Sequence, residues 1–198
     1  MFRWGRASVA YGLIAIGAIA VGHGFERGSL FSYPGPWLPL AGVEAHAFSV
    51  VLGAAFAAAV VVGTRVLVEN VGWAKNLHRD LRPMTLRLDG TGIAVIAGLS
   101  ALAEELVFRG LLLRGLVRRM RFPMAAVISG VVFGLAHLEY WTLWPLLVGI
   151  CGFGIAAAFV YRTMGFAANV TMHAVFNGIA AVFLFSDFGI DQSSLTCT

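Results

Sequence analysis

The sequence predicts an all-α protein, a polytopic transmembrane helical bundle of about six spans, and three observations carry that prediction. Of 198 residues, 59% are hydrophobic and only 12% charged, against roughly 25% charged in a soluble domain. Mean hydropathy is +0.84. The apolar residues gather into runs close to the roughly 20 residues that one helical crossing needs. The longest polar interval, from Glu69 to Gly90, is too short to fold alone. A single integral membrane domain is therefore expected, with an N-terminal two-span region at 1–90 and a core at 91–198.

The first span is read from Ala7 to Gly24. Arg3 and Arg6 precede it, and Ala18-Ile19-Ala20 resembles a leader-cleavage site; because further spans follow, an uncleaved helix is expected. Phe31, Tyr33, Trp37 and the prolines Pro34, Pro36 and Pro39 read as an interfacial segment. The second span is Val43 to Val68, with Glu44 and His46 at its mouth, where water can reach them. Glu69 to Asp89, carrying Lys75, His78, Arg79, Asp80, Arg82 and Arg87, reads as a solvated basic loop. The third span is Thr91 to Leu113, followed by Arg114, Arg118, Arg119 and Arg121. The fourth, Met124 to Leu138, is short and closes on His137, Glu139, Tyr140 and Trp141. The fifth, Leu143 to Tyr161, has Gly149, Gly152 and Gly154 for tight contacts, and the sixth is Phe166 to Phe185.

The net charge is +4 and the isoelectric point near 9.6. The basic residues sit beside apolar runs, where anionic lipid headgroups lie, so nucleic acid is not an expected partner. Both basic loops cannot face the cytoplasm if the third span crosses once. Either that span is broken or partly re-entrant, or the arginine cluster follows the needs of the fold. Cys151 and Cys197 form neither a C-x-x-C pair nor a disulfide framework.

Glu104 and Glu105 stand side by side inside the third apolar run. An unpaired carboxylate at membrane depth costs several kcal/mol or more, so such residues are functional candidates. On a helix Glu105 shares a face with Arg109, four residues on, while Glu104 points about 100° away. Glu105 is thus expected to be neutralised by Arg109, leaving Glu104 to meet another helix. His137 on the fourth span, and His173 with Asn177 one helical turn apart on the sixth, can converge with Glu104. A carboxylate and an imidazole can share a water and take its proton, and an amide beside them can donate to an oxyanion. The active site is accordingly expected between the third, fourth and sixth spans.

Glu104-Glu105-Leu-Val-Phe-Arg109, Phe133-Gly-Leu-Ala-His137 and His173-Ala-Val-Phe-Asn177 resemble the E-E-x-x-x-R, F-x-x-x-H and H-x-x-x-N signatures of the CAAX-processing and bacteriocin-processing (CPBP) intramembrane proteases. All three occur in family order, between about Gly98 and Phe185. The resemblance implies that Glu104 and His137 activate the attacking water, that His173 and Asn177 line the oxyanion side, and that Glu105, Arg109 and Phe133 support them. It implies a membrane-anchored or lipidated protein or peptide substrate cut near its terminus. The short chain looks more like a bacterial member, some of which resemble sorting proteases, which would place it in the inner (cytoplasmic) membrane. Glu104, His137 and His173 could also hold zinc, but H-E-x-x-H is absent and no cofactor is expected.

Other chemistries fit less well. Ser100 and Ser129 lie in spans and could serve a serine protease, which would leave Glu104 unexplained. Asp187 and Asp191 lie beyond the last span, where an intramembrane aspartyl pair cannot form. A non-catalytic scaffold or immunity protein would not need the full set of polar residues. A proton-relaying transporter is disfavoured by the lack of paired inverted repeats.

Overall fold

The computed structural model describes residues 3–25, 42–81, 90–137 and 144–185, and among them all regular structure is helical. The expected interfacial aromatics Phe31 to Trp37, the residues Arg82, Arg87, Glu139, Tyr140 and Trp141, and the tail with Asp187, Asp191 and Cys197 lie outside the described residues. Among the described residues seven helices run in order: α1 Arg3–Phe25, α2 Gly42–Asn70, α3 Gly72–Leu81, α4 Gly90–Val117, α5 Phe122–Leu135, α6 Trp144–Met164 and α7 Phe166–Phe185.

Among the described residues four stretches are long and apolar enough to cross a membrane: Gly5–His23, Gly42–Asn70, Gly90–Val117 and Leu147–Met164. The protein is an integral membrane protein. The fourth expected span is apolar but shorter, Phe122–Leu135, and the sixth is the apolar 20-residue helix Phe166–Phe185.

One expectation is corrected, and one of two open alternatives is narrowed. The solvated loop at 69–89 contains the helix α3. Its apolar residues Trp73, Ala74, Leu77 and Leu81 recur at three- and four-residue spacing, an amphipathic pattern that the run of charges obscures; Ala74 is buried and Trp73 half exposed. The third span is not broken. It continues unbroken to Val117, with a wider π-helical stretch at Leu106–Leu113. At about 1.5 Å per residue, its 28 residues reach on the order of 40 Å, past a hydrocarbon core of about 30 Å. The arginine cluster therefore begins in the last helical turn, at Arg114, with Arg118, Arg119 and Arg121 in or beside the turn that follows.

α4 is the most heavily buried of the long helices. One apolar cluster joins it to α1 and to the hairpin of α5 and α6 through Ala15, Ala18, Ala103, Leu106, Leu113, Ala125, Ala126, Ala158 and Tyr161. A second joins α2, α6 and α7 through Ala45, Ala157, Val160, Met164, Ala168 and Met172, with Phe56 and Phe153 against it.

α5 and α6 cross closely because their contact is made of glycine. A Cβ on Gly130 would stand 2.6 Å from the Ile155 nitrogen, and one on Gly154 would stand 2.9 Å from the Gly130 Cα. Of the three glycines expected to pack tightly on the fifth span, only Gly154 does so; Gly149 and Gly152 face open space. The partner is the Gly130-x-x-x-Gly134 pair on α5, a small-residue spacing suited to helix crossing. At the distal end the Arg162 guanidinium lies 4.1 Å from the centre of the Phe122 ring. One residue, Gly165, reverses the chain between α6 and α7. Its φ of +90° is a left-handed conformation that side chains resist, and its N–H donates to the Tyr161 carbonyl at 3.0 Å.

This packing predicts opposite outcomes for two glycine replacements. Gly130→Ala must push backbone apart and should lower stability by about 1–3 kcal/mol. Gly178→Ala meets only the Ala97 Cβ, at 4.0 Å, and should be neutral or slightly stabilising through helix propensity. Thermal unfolding in detergent micelles distinguishes the two; equal loss in both would contradict the close-crossing account.

Candidate active site

Helix geometry brings the three motif segments to one depth. Glu104 is 14 residues from the start of α4 and 13 from its end, at the middle of the crossing. Chain reversal at residues 118–121 starts α5 at Phe122, and His137 follows 15 residues later, just past the helix end. Both distances come to about 20 Å at the usual rise, so Glu104 and His137 return to the same level. The shortness of α5 is what stops the chain there. Pro123 in its first turn starts it cleanly.

The two adjacent carboxylates have different surroundings. Glu105 is completely buried, and its Oε1 lies 3.1 Å from Arg109 Nη1, which is also completely buried. The same oxygen is 2.8 Å from His173 Nδ1, and Oε2 accepts a hydrogen bond from the Asn169 amide. Arg109 in turn donates from Nη2 to the Gly154 carbonyl at 2.8 Å, and its guanidinium lies 4.7 Å from the centre of the Phe133 ring. Glu105 therefore ties α4 to α7 directly and to α5 and α6 through Arg109.

Glu104 retains 16% of its side-chain exposure, and its Oε2 lies 3.7 Å from His173 Nε2. It also interacts electrostatically with His137. One imidazole thus stands between two carboxylates, held by Glu105 at Nδ1 and turned toward Glu104 at Nε2. Because a carboxylate accepts from Nδ1, the neutral ring carries its proton there, and Nε2 becomes a donor only in the imidazolium form.

His137 is half-buried and caps its own helix. Its ring Nδ1 is 2.8 Å from the Phe133 carbonyl, and its backbone N–H donates to the Gly134 carbonyl at 3.0 Å. A carbonyl accepts only from a protonated nitrogen, so this bond puts the neutral ring's proton on Nδ1 and leaves Nε2 basic. Asn177 donates from Nδ2 to Ser100 Oγ at 3.2 Å, one turn before Glu104 on α4. α4 and α7 run antiparallel through successive polar rungs: Ser100 with Asn177, the two glutamates with His173, and Glu105 with Asn169.

An aromatic wall fixes the rings. Phe133, almost fully buried, has its centre 4.8 Å from that of His137, 5.9 Å from that of His173 and 5.0 Å from that of Phe108, edge to face. Phe153 packs 4.9 Å from His173 and stacks on Phe176 at 4.6 Å. The wall limits ring rotation at both histidines.

All seven residues singled out in the sequence lie in this assembly: Glu104, Glu105, Arg109, Phe133, His137, His173 and Asn177. The serine alternative finds no support in the contacts. Ser129 is completely buried and donates to the Phe108 carbonyl at 3.1 Å, filling an acceptor on the π-helical stretch, where the α-helical ladder is interrupted. Ser100 donates to the Ala97 carbonyl at 3.3 Å and accepts from Asn177. Among the described residues no group of three or more His, Cys, Asp or Glu side chains is arranged to hold a metal ion.

Sequence reasoning passed over Asn169, Phe153 and the Gly154 carbonyl, and weighed Ser100 only as a nucleophile. Asn169 carried a readable signal: it lies one turn before His173, so that Asn169, His173 and Asn177 form one stripe on an apolar helix. The carbonyl carried none, because any residue could supply it.

Residues 88–179 match the model of the family described as type II CAAX prenyl endopeptidase Rce1-like. The match spans α4, α5, α6 and most of α7, and takes in all three motif segments. No curated protein and no solved structure matches the chain. The chain therefore carries, at residues 88–179, a type II CAAX prenyl endopeptidase Rce1-like domain of the CPBP family.

Proposed function

We propose that the protein is an intramembrane endopeptidase of the glutamate-dependent kind, hydrolysing a peptide bond near the terminus of a membrane-anchored or lipidated protein. The observation that carries this reading is the contrast between the two glutamates. Glu105 has both oxygens engaged and no exposure, whereas Glu104 keeps exposure beside a single close imidazole. A carboxylate held at mid-membrane depth without full neutralisation is expensive unless it is used.

In this reading Glu104 and His137 share a water. The water's oxygen attacks the scissile carbonyl, and one of its protons passes to the Glu104–His137 pair. The carbonyl electrons move onto oxygen, where Asn177 and the imidazolium form of His173 donate hydrogen bonds. A carboxamide has two N–H donors, and the bond to Ser100 takes one of them. Collapse of the intermediate expels the amine, which takes the proton that the water gave up. Each proton and electron pair is accounted for without a metal. Burial favours substrates already in the bilayer, and the setting proposed for it is a bacterial inner membrane with anchor removal.

The test is cleavage of a co-expressed panel of membrane-anchored candidate substrates, with product masses measured with and without chelator. Cleavage by the wild type should survive chelation, and Glu104→Gln, which cannot accept the water's proton, should abolish it in a folded protein. His137→Ala should lower the rate by about 10²–10⁴ as a lost base. Asn177→Ala should cost about 10²–10³ as a lost oxyanion donor. Wild-type turnover by Glu104→Gln overturns the glutamate mechanism, chelator-sensitive cleavage replaces it with a zinc enzyme, and equal partner binding without any cleavage replaces it with a scaffold.

A further inference from the structure

Asn169 is a completely buried polar residue on an apolar helix, and it lies outside the three signature segments. Its amide donates to Glu105 Oε2. His173, four residues later on the same helix, approaches Oε1 of the same carboxylate at 2.8 Å. Two side chains one turn apart on α7 thus hold the two oxygens of one glutamate. Arg109 meets that glutamate at Oε1, so among the contacts described for Oε2 the Asn169 amide is the partner. The amide's other end, Oδ1, is buried without a hydrogen-bond partner, so the residue accepts an unsatisfied acceptor in order to direct its donor at Glu105.

Rotation about the last bond of a glutamate is soft. With Oε2 unheld, the carboxylate could turn toward Arg109 alone and release His173 Nδ1. Loss of that bond would free the imidazole to take its other tautomer and to swing away from Glu104. We propose that Asn169 is a positioning residue, which fixes the plane of the Glu105 carboxylate so that His173 presents Nε2 to Glu104. Its effect on rate rests on the protease reading above; its effect on the imidazole does not. The polar stripe of the site is then Asn169-x-x-x-His173-x-x-x-Asn177, one turn longer than the H-x-x-x-N segment.

Two variants and two readouts test this in the full chain in detergent micelles. Asn169→Leu keeps the approximate shape and removes the donor. Asn169→Asp keeps the shape and donates only when protonated. The titratable groups around Glu105 are Glu104 and Arg109 on its own helix, His173 on α7 and, across the site, His137. All are common to both variants, so the ratio of each variant to wild type isolates position 169.

The first readout is the downfield ring-proton resonance of His173 Nδ1–H in protein labelled with ¹⁵N-histidine, assigned by its loss in His173→Gln. It should be present in the wild type and lost or strongly shifted in Asn169→Leu. An unchanged resonance overturns the proposal, even if the protein cleaves nothing. The second readout is the pH profile of cleavage. Asn169→Leu should lower kcat by about 10–100-fold, the usual effect of losing a partner that orients an active-site histidine, with KM unchanged. Asn169→Asp should be as slow near neutral pH and should regain rate relative to wild type as the pH falls, while the Asn169→Leu ratio stays flat. Variants that melt earlier but show wild-type kcat per folded molecule, or two flat ratios, would overturn the proposal and leave Asn169 a packing residue. Absence of cleavage in the wild type would instead count against the protease reading.

Discussion

The structure depends on the neutralisation of one buried carboxylate. Glu105 has no contact with solvent, and neither has Arg109. Removing two charges from water costs several kcal/mol each, repaid only when geometry is good and the remaining hydrogen-bonding capacity is used. Here Glu105 is met by a guanidinium, an imidazole and an amide, and the guanidinium reaches on to a carbonyl and an aromatic face. The partners come from α4, α5, α6 and α7. A charge that cannot be left unpaired thus becomes a device that fixes how four helices register, where apolar packing against lipid-like surroundings would discriminate weakly.

That registration gives Glu104 its character. Adjacent residues on a helix face different ways, so satisfying Glu105 inside the bundle turns Glu104 toward the gap that His137 and His173 border. The short helix α5 sets the depth of His137, and the glycine crossing with α6 brings the Gly154 carbonyl within reach of Arg109. Phe133 links these features, touching Arg109, His137 and His173 at once. In the proposed mechanism structural and chemical roles are thus separated between neighbouring residues, and the aromatic packing also limits how the imidazoles can turn.

Much of this was legible in the sequence, for physical reasons that differ by residue. Polar side chains inside apolar runs announce themselves because lipid offers no alternative partner, so Glu104, Glu105, His137, His173 and Asn177 stood out. The four-residue spacing of Glu105 and Arg109 gave their pairing. The helix α3 was hidden because charged residues dominate its composition, while its apolar residues recur only at helical spacing. The π-helical stretch was hidden because nothing in Leu106–Leu113 distinguishes that winding from an α-helix; the hydroxyl that fills one of its carbonyls, Ser129, lies on another helix. Asn169 was passed over because a single amide in a membrane helix reads as ordinary helix-to-helix adhesion until its partner is known.

In the proposed mechanism the two adjacent glutamates do different work, Glu105 holding the bundle and Glu104 facing the reaction. The most direct measurement is thermal unfolding of Glu104→Gln and Glu105→Gln side by side in the same detergent. Glu105→Gln leaves Arg109 buried without its counter-charge and is predicted to lose about 3–5 kcal/mol. Glu104→Gln removes a poorly compensated charge and is predicted to match or exceed the wild type. Equal losses in both, or a larger loss in Glu104→Gln, would contradict the account.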